Sequence, residues 1–78
     1  MNYVWTVFDT EDNALTIYTS LGEALKKLYR LLEGIKWKYL EEDSYEGYKV
    51  YEYELQNNTY YIYVMRASVD TGRAIYMY

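Results

Sequence analysis

The side chains best suited to chemistry in this chain are its carboxylates. Asp9, Glu11 and Asp12 crowd the stretch "DTEDN", and Glu41, Glu42, Asp43 and Glu46 crowd "EEDSYEG". Such groups act as general acids and bases or as ligands for a hard cation, and each use has a geometric requirement. A calcium loop of the EF-hand type alternates acidic ligands around a glycine at its sixth position, and "DTEDNA" has no glycine. Glycoside chemistry needs two carboxyls held about 5 to 10 Å apart across a cleft, which so short a chain rarely builds. The sequence has no His and no Cys. Zinc sites built on thiolate or imidazole, disulfides, and the usual pairs of nucleophile and base are therefore excluded. The four glycines stand singly, so no loop cradles a phosphate. The acidic turns are read as solvated, no catalytic residue, metal or cofactor is assigned, and the chain is expected to act by binding rather than as an enzyme.

The second available chemistry is aromatic. The chain carries 13 tyrosines, and six of them fall in "YKVYEYELQNNTYYIYVMR", from Tyr48 to Arg66. Which of them are free to bind depends on the elements that carry them.

Tyr3 to Asp9 and "ALTIYT" are β-branched and aromatic around the polar "TEDN", the pattern of a hairpin. Pairing across a loop of two or four residues puts Val4, Phe8, Leu15 and Ile17 on one face and Trp5, Val7 and Tyr18 on the other. Ser20 and Glu23 then form a capping-box pattern at the start of "SLGEALKKLYRLLEG". Leu21, Ala24, Leu25, Leu28, Tyr29, Leu31, Leu32 and Ile35 share one arc of that helix, and Gly34 stands at its C-cap. "IKWKYL" alternates as a strand with Ile35, Trp37 and Tyr39 on one face, with an extension of the helix as the alternative. A hairpin follows over "YKVYEYEL" and "YYIYVMRA", turning at Asn57 and Asn58 or through Gln56 to Thr59, and a last strand is expected in "RAIYMY" after a turn at "VDTG". The order β-β-α-β-β-β-β makes a single α+β domain at 1–78, one helix against an antiparallel sheet.

In that register Leu55 faces Tyr60, Tyr53 faces Ile62 and Tyr51 faces Val64 on a core side, while Glu54 faces Tyr61, Glu52 faces Tyr63 and Val50 faces Met65 on the other. One helix covers one side of a sheet, so the second side is expected to stay open. Trp5, Tyr18, Tyr61, Tyr63 and Met65 are the candidate binding residues of that side, together with the carboxylates Glu41, Glu42, Asp43, Glu46, Glu52 and Glu54. A Tyr, Trp and Met surface ringed by acids has the composition of a protein interface directed at a basic partner, and a second copy of the chain is a further candidate partner.

The net charge is −4, which disfavours nucleic acid and anionic lipid. Five of the eight basic residues, Lys26, Lys27, Arg30, Lys36 and Lys38, do cluster. Base stacking on sheet tyrosines is the alternative that would use them, but Glu52 and Glu54 beside those tyrosines repel phosphate. No apolar run approaches the roughly 18 residues of a membrane span and "MNYVWTVFDTED" has no signal-peptide character, so a soluble, cytoplasmic location is expected.

With its strand-to-helix junction "IYTSLGEALKKL" and its short, acidic, cysteine-free character, the chain resembles the small anti-defence proteins of bacteriophages and mobile elements, anti-CRISPR inhibitors among them. That resemblance implies inhibition of a host protein by occluding one of its surfaces, in the host cytoplasm, with no catalytic residue.

Overall fold

The computed structural model describes residues 2–45 and 47–69. Helix α1 spans Leu21–Leu31 and the strands are β1 (Asn2–Asp9), β2 (Ala14–Tyr18), β3 (Lys36–Tyr39), β4 (Tyr48–Leu55) and β5 (Asn58–Val69). A single turn of 3-10 helix at Glu41–Asp43 lies between β3 and β4. The expected strand in 73–78, the turn before it and Glu46 lie outside the described residues. The fold is the expected α+β arrangement. No helix of the described residues is long and apolar enough to cross a membrane.

Local signals set the helix ends. Ser20 is extended and its Oγ accepts from the Glu23 amide at 3.2 Å, satisfying one of the orphan donors of the first turn. At the other end Ile35 N donates to Leu32 O at 3.0 Å, and Gly34 takes a φ of +76°, a conformation that costs other residues strain. The chain then leaves helical geometry, and residues 36–39 form a strand rather than more helix.

The sheet is antiparallel in the order β2-β1-β5-β4-β3. Strands β2 and β3 flank α1 in sequence yet stand at opposite ends of this order among the described residues, so the connection between them must traverse the sheet. Eleven helical residues rise about 16 Å, close to the roughly 19 Å of four inter-strand gaps. The apolar arc of α1 lands on that side. Ala24, Leu28 and Leu32 join Val7, Tyr51, Tyr53, Ile62 and Val64 in one buried cluster, edged by Trp5, Tyr18, Leu21, Leu25, Ile35 and Tyr60.

Two expectations are corrected. Trp5 and Tyr18 were assigned to the open side, but they pack against the buried cluster beneath the helix. The reason is the pairing of β1 with β5, which sets Val7 opposite Val64 and Trp5 opposite Arg66, so the Trp5 face is the helix face. Both faces of the first hairpin carry apolar residues, and the hairpin alone does not say which is covered. Leu15 and Ile17 consequently face away from the helix and are 44% and 52% exposed.

The second correction is the register of β4 and β5. Leu55 pairs with Asn58, Tyr53 with Tyr60, Tyr51 with Ile62, Glu52 with Tyr61, Val50 with Tyr63 and Tyr48 with Met65, two residues away from the expected pairing. The turn is Gln56 and Asn57, both at positive φ (53° and 67°), as a tight primed turn requires. In this register the Tyr53 hydroxyl, diagonal to the end of β1, donates to Asp9 Oδ1 at 2.8 Å. Because the slip is an even number, every side chain keeps its face.

Leu28 is fully buried at the centre of the helix contact. Leu28→Ala should cost about 2 to 5 kcal/mol, read as a lower urea midpoint at unchanged slope. Leu31→Ala, on the half-exposed flank, should cost no more than about 1 kcal/mol by the same measurement.

Candidate functional site

The side of the sheet away from α1 carries Phe8 from β1, Lys36 and Lys38 from β3, Tyr48, Val50, Glu52 and Glu54 from β4, and Tyr61, Tyr63 and Met65 from β5. The acidic loop is folded against it. Leu40 N donates to Val50 O at 2.9 Å, and Ser44 Oγ donates to Leu40 O at 2.9 Å while accepting from Val50 N at 3.3 Å. Tyr45 and Tyr48 exchange two backbone hydrogen bonds of 3.0 and 2.9 Å. Gly47 closes the loop at a φ of +76°, its carbonyl accepting from Arg66 N at 2.7 Å, where a Cβ would stand 3.3 Å from the Arg66 side chain.

These contacts enclose a concavity of about 500 Å³. Leu40, Glu42, Asp43 and Tyr45 form the loop wall, Tyr48, Val50, Glu52, Tyr61 and Tyr63 the sheet floor, and Lys38 the rim. The rings form an inclined row: Tyr45 and Tyr48 centroids are 5.6 Å apart, Tyr48 and Tyr63 6.2 Å, Tyr61 and Tyr63 6.4 Å, with interplanar angles of 42°, 39° and 33°. Phe8 extends the row, stacked 6.5 Å from Tyr63. Lys38 Nζ lies 3.4 Å from Glu52 Oε2 with most of its side chain in water. Burial, then the neighbouring Tyr63, Tyr45 and Asp43, push the Tyr48 phenol above its ordinary pKa, so it stays neutral and able to donate.

Five of the expected binding residues, Glu42, Asp43, Glu52, Tyr61 and Tyr63, therefore meet around one concavity. Met65 is on the same side opposite Tyr48 but outside the lining, exposed Glu41 stands on the 3-10 turn, and Glu54 faces Lys36 across the β3–β4 pair. Trp5 and Tyr18 belong to the other side, and Glu46 lies outside the described residues. Sequence reasoning missed Tyr45, Tyr48 and Lys38. The available signal was Tyr45 and Tyr48 bracketing Gly47, a spacing that folds two rings back over the strand they precede.

A second aromatic group was missed on the helix side, where β3 runs past the cover of α1. Trp37 lies 5.6 Å from Tyr29 and 5.8 Å from Tyr51, and Tyr39 lies 5.2 Å from Tyr51. Lys49 Nζ stands 5.8 Å over the Tyr39 ring. With Tyr29 these residues line an open concavity of about 370 Å³.

The carboxylates of Asp9, Glu11 and Asp12 come within 4.8 Å of one another. Their oxygens serve the fold: Asp9 Oδ1 accepts from Tyr53 and from Glu11 N at 3.0 Å, and Asp12 Oδ1 accepts from Ala14 N at 3.2 Å. No family model, curated protein or solved structure matches the chain. The functional reading rests on geometry.

Tyr51 and Tyr53 also titrate above the ordinary phenol value of 10.0, through burial first and then through hydrogen bonds with Tyr29 and Asp9. A phenol whose folded pKa is raised leaves stability intact below its unfolded pKa and withdraws it as pH climbs toward the folded value. Denaturant midpoints should hold steady to about pH 10 and fall above it, and phenolate absorbance should show these tyrosines ionising only as the chain unfolds. Tyr53→Phe should blunt the decline.

Proposed function

We propose that the chain is a non-enzymatic protein-binding module that inhibits a larger protein by occluding one of its functional surfaces. The carrying observation is the convergence of Glu42, Asp43 and Glu52 with Tyr45, Tyr48, Tyr61 and Tyr63 around one concavity on the side away from α1. Aromatic rings supply contact area at low conformational cost, and a surrounding carboxylate rim selects a basic partner and steers its approach. Inhibition, as distinct from binding, is supported by the resemblance to anti-defence proteins. The reading places the chain beside its target in the cytoplasm.

One observation favours a second reading. The concavity lined by Tyr29, Trp37, Tyr39, Tyr51 and Lys49 pairs stacking rings with a cation and has no carboxylate in its lining, which suits a nucleobase and its phosphate. Saturable quenching of Trp37 emission by a nucleoside monophosphate, weakened by Lys49→Ala and by Tyr39→Ala, tests it.

For the main reading, affinity capture is run with the wild-type chain, with Tyr61→Ala/Tyr63→Ala and with Glu42→Lys/Asp43→Lys. Both variants should lose the same captured protein, and the activity of that protein should fall on stoichiometric addition of the wild-type chain alone. Salt should weaken capture steeply, the Debye length being about 8 Å at physiological ionic strength. Retention by both folded variants overturns the reading.

A further inference from the structure

The concavity has a more specific complement than a basic surface in general. Its lining carries three carboxylates, Glu42, Asp43 and Glu52, against one ammonium, Lys38, a net charge of −2 by 1 − 3. Lys38 reaches Glu52, which leaves the two carboxylates of the loop wall without an ion pair among the described residues. Between wall and rim the floor is aromatic, and the faces of inclined tyrosine rings attract a cation through their quadrupole. A site that combines ring faces with carboxylates matches a guanidinium better than an ammonium. The guanidinium is planar and stacks on a ring, is less strongly hydrated, and bonds a carboxylate with two parallel donors. The volume of about 500 Å³ exceeds one guanidinium and leaves space for the stem and adjoining backbone of an extended segment. Phosphate-bearing ligands are disfavoured by the same charge.

We propose that this concavity is the receptor for an arginine side chain of a basic partner segment, seated on the Tyr48, Tyr61 and Tyr63 rings and paired with Glu42 and Asp43. This rests on the reading of the open side as a protein-docking surface. It adds the residue type that the surface accepts. Lys38 is the resident competitor, holding Glu52 until the incoming cation arrives.

The test titrates the full chain, labelled in its tyrosine rings, with a tetra-arginine peptide, a tetra-lysine peptide and a tetra-citrulline peptide, citrulline being the uncharged isostere of arginine. The expected result is saturable shifts of Tyr48, Tyr61 and Tyr63 with arginine, and binding weaker by about tenfold or more for citrulline and several-fold for lysine. Glu42→Gln/Asp43→Asn, both at exposed positions, should weaken arginine binding by about tenfold, and Lys38→Ala should strengthen it by about threefold at low salt. Equal binding of citrulline or lysine, absence of saturable shifts, or ring shifts that follow protein concentration alone, which identify a second copy as the occupant, overturn the proposal. If capture of a partner depends on Tyr61 and Tyr63 while the rings ignore arginine, this inference falls and the docking reading stands. If arginine binds as expected while no partner depends on those residues, the inference stands and the docking reading falls.

Discussion

The structure depends on one connection. Because β2 and β3 are the two edges of the sheet among the described residues and adjoin α1 in sequence, the helix has to cross the sheet, and it can cross only one side. The apolar cluster forms on that side, where Leu28, Leu32, Ile62 and Val64 meet. Among the described residues, the other side carries no helix of that kind, and the strands and the β3–β4 loop shape it. That loop is short, pinned by Ser44 and by the Gly47–Arg66 hydrogen bond, and acidic. The same constraint that concentrates stability on one face thus leaves a shaped, charged surface on the opposite one.

Tyrosine serves both faces for different reasons. Tyr51 and Tyr53 contribute large buried areas to a chain with no disulfide, at the cost of bringing hydroxyls inside. Each hydroxyl is matched: Tyr51 shares a hydrogen bond with Tyr29, and Tyr53 donates to Asp9. An unmatched buried hydroxyl would cancel much of the gain, so these partners are part of the core. On the open side the rings of Tyr45, Tyr48, Tyr63 and Tyr61 lean on one another in a row. Tyr45, at the end of the row, is 72% exposed.

Much of this was legible in the chain. The cap at Ser20, the stop at Gly34 and the arc of leucines between them are local signals, and the helix followed them. Face assignments in β4 and β5 survived because the side-chain period is two, so the two-residue error in register changed partners without changing sides. Trp5 and Tyr18 were misplaced for the complementary reason. The face of the first hairpin is decided by its pairing with β5, some fifty residues away, and no local pattern encodes that choice when both faces are apolar. The candidate site was half legible. Acids and tyrosines were visible as types, but their convergence needed the loop to fold back on β4, which depends on Tyr45, Gly47 and Tyr48 acting together.

The central pairing of β1 with β5 also sets an order of events. The strand nearest the N-terminus lies between β2 and a partner that ends at Val69. A chain synthesised from its N-terminus makes the first hairpin and the helix early, yet their apolar sides have no platform until β5 has been made. Contacts of such long sequence separation form late because the intervening loop must close before they stabilise anything. During synthesis, then, Leu28 and Leu32 lack their partners Ile62 and Val64 until β5 has been made.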